Sequence, residues 1–236
     1  MTLPIAAEDA TRLEECLARD GVAVIPTDTV YGLACNPDSE SALRRIYELK
    51  RRPPLKPAAV MFFALEPALE TLTELGPRTR EAVEALLPGP VTLLLPNRLA
   101  RFAPACDPPG VDMGGDTRVE GAPRAHARGA ARTHEGSDAA LLGLRVPAFT
   151  GELATLASVR VPAAQSSANL SGGPDPRCLQ DIPVELREGA DLVLDGGELP
   201  GTASTVIDLS RYEQDGRWQM VREGPLNSSA LKRLLG

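Results

Sequence analysis

A loop of small hydroxyls followed closely by a dense run of cations is the part of this sequence best suited to chemistry. In GVAVIPTDTVYGLACNPDSESALRRIYELKRRPPLKP, from Gly21 to Pro57, an apolar run ends at Pro26 and a hydroxyl-rich loop, Thr27-Asp28-Thr29, follows. Lys50, Arg51, Arg52 and Lys56 then stand between prolines. From Arg44 to Lys56 six basic residues face Glu48 alone, a local net charge of +5 in a chain whose net charge is −7. Such a cluster suits anion handling, because arginine offers a planar fork for bidentate contact and lysine a point charge. A second polar run, Ser166-Ser167-Ala168-Asn169-Leu170-Ser171-Gly172-Gly173, can present hydroxyls and backbone N–H groups to an oxyanion. On composition alone plainer readings lead: a polar turn, and a helix end whose cations are worth about 0.3–1 kcal/mol against its dipole.

What is missing narrows the chemistry. The sequence has no GxxxxGK[ST], no GxGxxG opening a helix, no HExxH and no GxSxG. A nucleotide, if bound, would not sit on a P-loop, and no His stands with Ser or Cys in a triad-like order. Cations and hydroxyls on separate strand ends remain. They could act by positioning substrates and neutralising phosphate charge, which suffices for adenylyl transfer.

The elements that must position these groups alternate. Glu8 to Arg19 reads as a helix with Leu13, Cys16 and Leu17 on one face and Gly21 as its stop. Val22 to Ile25 is a short buried strand. Asp38 or Ser39 can cap a helix carrying Leu43, Ile46 and Tyr47, which Pro53 and Pro54 end near Arg52. A strand over 58–63, helices over 66–75 and 79–87, and a strand over 91–95 follow. Past position 140 come strands at 142–146, 161–165, 191–194, 204–209 and 219–222, a helix at 151–159, and a closing helix capped by Ser228. This order predicts an α/β fold with a mixed sheet. Asn97 to Ala140 breaks the pattern, with only Val111, Met113 and Val119 as large apolar residues after Pro104. It is expected to be a disordered insertion in a single domain spanning 1–236. His126 and His134 lie in it without carboxylates at ligand spacing and read as solvated loop side chains.

Four scattered cysteines, with no CxxC, fit reduced thiols of a cytoplasmic protein. The start, MTLPIAAEDA, lacks the pattern of a signal peptide, and no apolar run approaches the ~18 residues of a membrane span.

Several strings occur in a telling order: Pro26-Thr27-Asp28-Thr29-Val30-Tyr31-Gly32-Leu33, Lys50-Arg51-Arg52-Pro53, Lys56-Pro57 and Pro88-Gly89-Pro90-Val91-Thr92-Leu93. Leu144-Arg145-Val146-Pro147, Ser167-Ala168-Asn169-Leu170-Ser171-Gly172 and Ser204-Thr205-Val206 complete it. The chain thereby resembles the YrdC/TsaC family of L-threonylcarbamoyladenylate synthases, from about Gly21 to Gly224. The resemblance implies a twisted, mixed parallel and antiparallel sheet with flanking helices around a basic concave cavity. It implies a nucleotidyltransferase reaction in which L-threonine, bicarbonate and ATP, with Mg²⁺ on the phosphates, give threonylcarbamoyl-AMP and pyrophosphate. The product would feed a separate transferase that modifies tRNA. The larger members carry a further C-terminal domain, which is not expected here.

The resemblance also implies roles. Thr29, Arg145 and Ser204 would serve threonine, Arg145 through its carboxylate. Lys50 and Arg52 would be the catalytic pair, holding triphosphate and the carboxylated amine. Arg52, Lys56, Gln165, Ser167, Asn169, Asp175 and Arg222 would line the nucleotide site, while Arg51 faces solvent. Some members place a histidine where this chain has Met61 and a threonine where it has Leu141. The alternative is a non-catalytic module that binds tRNA in the same basic cavity.

Overall fold

The computed structural model describes residues 5–53, 57–107 and 140–236. Helix α1 (Ala7–Ala18) leads to strands β1 (Ala23–Ile25) and β2 (Gly32–Cys35), then α2 (Glu40–Leu49), β3 (Ala59–Met61), α3 (Leu65–Thr71) and α4 (Pro77–Leu86). β4 (Val91–Pro96) and the short α5 (Ala103–Cys106) precede β5 (Leu141–Arg145), a 3₁₀ stretch at Gly151–Ser158 and β6 (Ala163–Ser167). The chain closes with α6 (Val184–Glu188), β7 (Leu192–Val193), β8 (Thr205–Asp208), α7 (Tyr212–Asp215), β9 (Gln219–Arg222) and α8 (Ser228–Leu235). The strands form one mixed sheet in the order β7-β1-β2-β6-β3-β5-β4-β8-β9. β1–β7, β3–β5 and β4–β8 pair parallel, and the other neighbours pair antiparallel.

Local rules account for most element ends. α1 buries Ala10, Leu13, Cys16 and Leu17 and stops before Gly21, where an added Cβ would stand 2.8 Å from the Cys16 carbonyl oxygen. α2 begins where Ser39 Oγ accepts the Ala42 N–H at 3.3 Å. It stops at Leu49, three residues before the expected end, in a turn that suits its function. Arg51 adopts φ 49°, its N–H reaches the Glu48 carbonyl at 3.0 Å, and the Arg52 N–H reaches the Tyr47 carbonyl at 2.9 Å. These are the two bonds of a Schellman motif, with arginine where glycine is usual. The motif parts the neighbours: Lys50 goes inward, Arg51 is exposed and Arg52 is half-buried.

One element carries no expectation from the sequence, and three expectations need correction. β2 is a four-residue strand paired on both sides, against β1 and β6, and tertiary pairing rather than propensity sets it. Asn227, not Ser228, caps α8, with its Oδ1 accepting the Ala230 N–H at 3.0 Å. The expected helix at 151–159 is 3₁₀. The expected disorder from Asn97 starts too early, because Asn97 is buried, its N–H meets the Ala140 carbonyl at 2.8 Å, and its side chain bonds the backbone of Arg101. Phe102 then packs edge-on against Phe62 at 6.1 Å, and Ala105 is buried. The rest of that stretch, with His126 and His134, lies outside the described residues, as does Lys56.

Side-chain alternation divides the sheet into two faces. Leu93, Leu95, Leu142 and Leu144 are buried in the core. Thr92 and Leu94 on β4, and Leu141, Gly143 and Arg145 on β5, face the other way, into a concavity.

Candidate active site

That concavity is a cavity of about 520 Å³ spanning strands β6, β3, β5, β4, β8 and β9. Its floor is apolar, formed by Ala59, Leu94, Leu141, Gly143 and Val206. Gly143 deepens it, since the sheet there carries no side chain. One wall holds Arg52, Gln165, Ser166 and Ser167, and the opposite wall holds Thr92, Ser204 and Arg222, with Arg145 between them. Among the described residues, three arginines and no carboxylate line the cavity. An apolar floor with convergent donors is how small-molecule sites are commonly built.

Each wall is pre-organised by hydrogen bonds. Arg52 donates from Nη1 to Ser166 Oγ at 2.6 Å and from Nη2 to the Pro57 carbonyl at 2.8 Å, and lies 5.4 Å above the Tyr47 ring. Burial pulls its guanidinium below the ordinary arginine value. On the far wall Ser204 Oγ and Thr92 Oγ1 are 2.8 Å apart. Arg222 donates from Nε and Nη2 to the Ser204 carbonyl at 3.0 and 2.8 Å, and from Nη2 to Ser204 Oγ at 3.2 Å.

Arg145 is 4% exposed. Its Nη2 donates to three oxygens of the loop between β1 and β2: Thr27 Oγ1 at 3.1 Å, Asp28 Oδ1 at 2.8 Å and Thr29 Oγ1 at 2.5 Å. Its Nε is buried with no hydrogen-bond partner among the described residues. Burial lowers its pKa and the Asp28 carboxylate opposes that shift. A buried cation on the wall of a cavity whose described lining has no carboxylate is suited to an incoming oxyanion.

Lys50 is placed differently from the expectation. It does not line the cavity but is 2% exposed behind the wall. Its Nζ donates to the Ser167 carbonyl, to the Asn169 carbonyl at 2.7 Å and to Asn169 Oδ1 at 3.1 Å. All three ammonium protons are thereby used. Asn169 Oδ1 also accepts from Ser167 Oγ at 2.7 Å, and Asn169 Nδ2 donates to the Gly173 carbonyl at 2.6 Å. Lys50 thus ties down the loop after β6. Burial, then the Arg52 guanidinium, lowers its pKa to about 7, while Asp175 opposes this.

Of the residues singled out from sequence, Arg52, Arg145, Gln165, Ser167, Ser204 and Arg222 meet around the cavity, whereas Lys50, Thr29, Asn169 and Asp175 stand outside its lining. Thr29 instead holds Arg145. Gln165 lies across β2 with its amide over Gly32: a Cβ there would fall 2.3 Å from Gln165 Nε2 and would displace that side chain. Sequence reasoning named Ser166, Thr27 and Asp28 only within polar runs and gave no individual role to them or to Thr92. Thr92 was legible through β4 alternation with Leu93 and Leu95; the others carry no signal without the fold. Of the two departures, Met61 is fully buried and Leu141 lines the cavity. Among the described residues no group of three His, Cys, Asp or Glu side chains could hold a metal ion.

Comparison with known proteins gives a consistent picture. The family model Sua5/YciO/YrdC, described as "Telomere recombination", matches residues 15–114 and 130–224. A threonylcarbamoyl-AMP synthase of Pyrococcus abyssi is 29% identical over 228 residues, covering 95% of this chain and 57% of the relative. The Mus musculus protein of the same name is 30% identical over 217 residues, covering 88% of this chain and 64% of the relative. The chain therefore spans less than two thirds of these relatives' lengths. The crystal structure of P. abyssi Sua5 complexed with L-threonine superposes with a TM-score of 0.71 at 26% identity, covering 98% of this chain and 58% of that one. With most of its length matched by the family model, this chain belongs to the Sua5/YciO/YrdC family.

Proposed function

We propose that this chain is an L-threonylcarbamoyladenylate synthase, a transferase of the nucleotidyltransferase class. It condenses L-threonine, bicarbonate and ATP into threonylcarbamoyl-AMP and pyrophosphate for a separate transferase acting on tRNA. The observation that carries the reading is the cavity itself, in which three arginines and strand-end hydroxyls converge, without a carboxylate among the described residues. The names of the relatives support it.

Arg145 binds the amino acid carboxylate through its guanidinium, and Ser204 with Thr92 lies beside it. The threonine amine and bicarbonate form a carbamate, with loss of water. A carbamate oxygen then attacks the α-phosphorus, the bond to the bridging oxygen breaks, and pyrophosphate leaves. Arg52 and Ser167 face the phosphates on one wall and Arg222 on the other. Among the described residues the lining side chains include arginines and hydroxyls but no carboxylate or histidine, which favours catalysis by positioning and by charge stabilisation. Mg²⁺ arrives on the nucleotide. Lys56 and Asp175 belong to the same proposed nucleotide site.

The RNA-binding alternative fares worse. Phosphate contacts that release counterions need cations spread on a surface, whereas Arg145 is buried. No helix among the described residues is long and apolar enough to cross a membrane, and the proposed place of action is the cytoplasm. Incubation with MgATP, bicarbonate and each amino acid in turn, with mass analysis of the adenylates, tests the function. Threonylcarbamoyl-AMP should form only with threonine and bicarbonate present; no adenylate with any amino acid would remove the proposal.

A further inference from the structure

We infer that Asp28 is a positioning residue that sets the pose of Arg145, and through it the affinity for the amino acid carboxylate. The inference rests on the reading of Arg145 as the carboxylate-binding cation. Asp28 does not line the cavity. Its side chain is 8% exposed and that of Arg145 is 4% exposed, so the pair is removed from water. The two carboxylate oxygens do different things. Oδ1 accepts from Arg145 Nη2 at 2.8 Å, whereas Oδ2 accepts the Ala148 N–H at 3.0 Å. Asp28 therefore joins three segments: its own loop between β1 and β2, the end of β5, and the turn after Pro147.

Thr27 and Thr29 complete the arrangement. Thr27 Oγ1 donates to the Val30 carbonyl at 2.8 Å and accepts from the Thr29 and Val30 N–H groups at 3.3 Å each, which fixes the loop that bears Asp28. Three oxygens then gather on one guanidinium nitrogen, Nη2. Nε is left buried and unpartnered, and among the described residues Nη1 has no partner. Asp28 compensates the charge of Arg145 from outside the cavity and leaves Nε and Nη1 unspent among the described residues. A carboxylate inside the cavity would pair with the same guanidinium but would compete with the ligand.

Asp28→Asn isolates the effect. The carboxamide keeps one acceptor, but two donors, Arg145 Nη2 and Ala148 N, face it, so one contact is lost. A displaced guanidinium is expected to lower kcat/KM for threonine on the order of 10²-fold, mainly through KM, with KM for ATP unchanged within about twofold. Adding Asp28→Asn to Arg145→Met should cost nothing further. Equal losses for both substrates, or a full additional loss in the Arg145→Met background, would overturn the inference. Should Asp28→Asn fail to fold, Asp28→Glu takes its place: it keeps the charge and displaces the carboxylate by one methylene, and the same selective threonine defect is expected. A wild-type protein that turns over no threonine would remove the proposed function instead. The inference is then decided by the Arg145 Nε–H resonance, expected to be sharp in the wild type and shifted and broadened in the Asp28 variant. An unchanged resonance would overturn it.

Discussion

Replacing Lys50 by methionine removes the charge and keeps most of the volume, and the outcome follows from two opposing quantities. The ammonium makes three hydrogen bonds, to two carbonyls and the Asn169 side chain. Bonds from a charged donor are worth roughly 1.5–3 kcal/mol each, or about 4–9 kcal/mol together. Burial opposes this: a fall from 10.5 to about 7 corresponds to roughly 5 kcal/mol at 1.36 kcal/mol per pH unit. Lys50→Met is thus expected to cost no more than about 4 kcal/mol at pH 7 despite losing three contacts. The variant should bind ATP more weakly, because Ser167 and Asn169 lose their tether. The pH dependence is sharper still. Between about 7 and 10.5 the unfolded chain holds the Lys50 proton more tightly than the folded one, so the wild type gains stability as pH rises through this window. Other titrations cancel in the difference between wild type and variant. Denaturant unfolding of both proteins at steps across the window measures it, and the gap should widen in favour of the wild type toward high pH. A gap that stays flat would refute the reasoning, for it would mean that the three acceptors keep the folded ammonium as basic as it is in water.

Two further substitutions test the architecture. Arg51→Gly should raise stability by about 1 kcal/mol, seen as a higher Tm, because a non-glycine residue at φ 49° is strained; activity should not change. A lower Tm would mean that the exposed Arg51 side chain contributes more than its backbone costs. Gly143→Val places its Cβ at ordinary contact distance from Ala59, 3.4 and 3.6 Å, with its branches toward the cavity. Substrate affinity by calorimetry should fall at least about tenfold, or about 1.4 kcal/mol, without loss of thermal stability. Unchanged affinity would place the ligands away from β5.

Much of this was legible because periodicity and punctuation act locally. Leu13, Cys16 and Leu17 mark the inner face of α1, Ser39 caps α2, and the strands from β3 onward fall near their expected positions. β2 was missed because Gly32 and Cys35 carry no strand preference, and only β1 and β6 on either side make those residues a strand. The Lys50-x-Arg52 spacing was readable as a basic cluster, but not which cation would meet a ligand. That depends on Arg51 entering the left-handed region, a conformation that an arginine does not announce. Asp28 was equally silent, since its partners lie more than a hundred positions away on β5 and just beyond Pro147.

The mixed sheet also acts as a ruler. From β6, which carries Ser167, to β9, which carries Arg222, the order β6-β3-β5-β4-β8-β9 spans five strand spacings. At about 4.8 Å each that is at most ~24 Å along the sheet, before twist shortens it. A free amino acid cannot touch both walls at once. The cavity therefore measures its cargo, and full engagement requires either an elongated ligand or two ligands laid end to end, with Arg145 on β5 near the join.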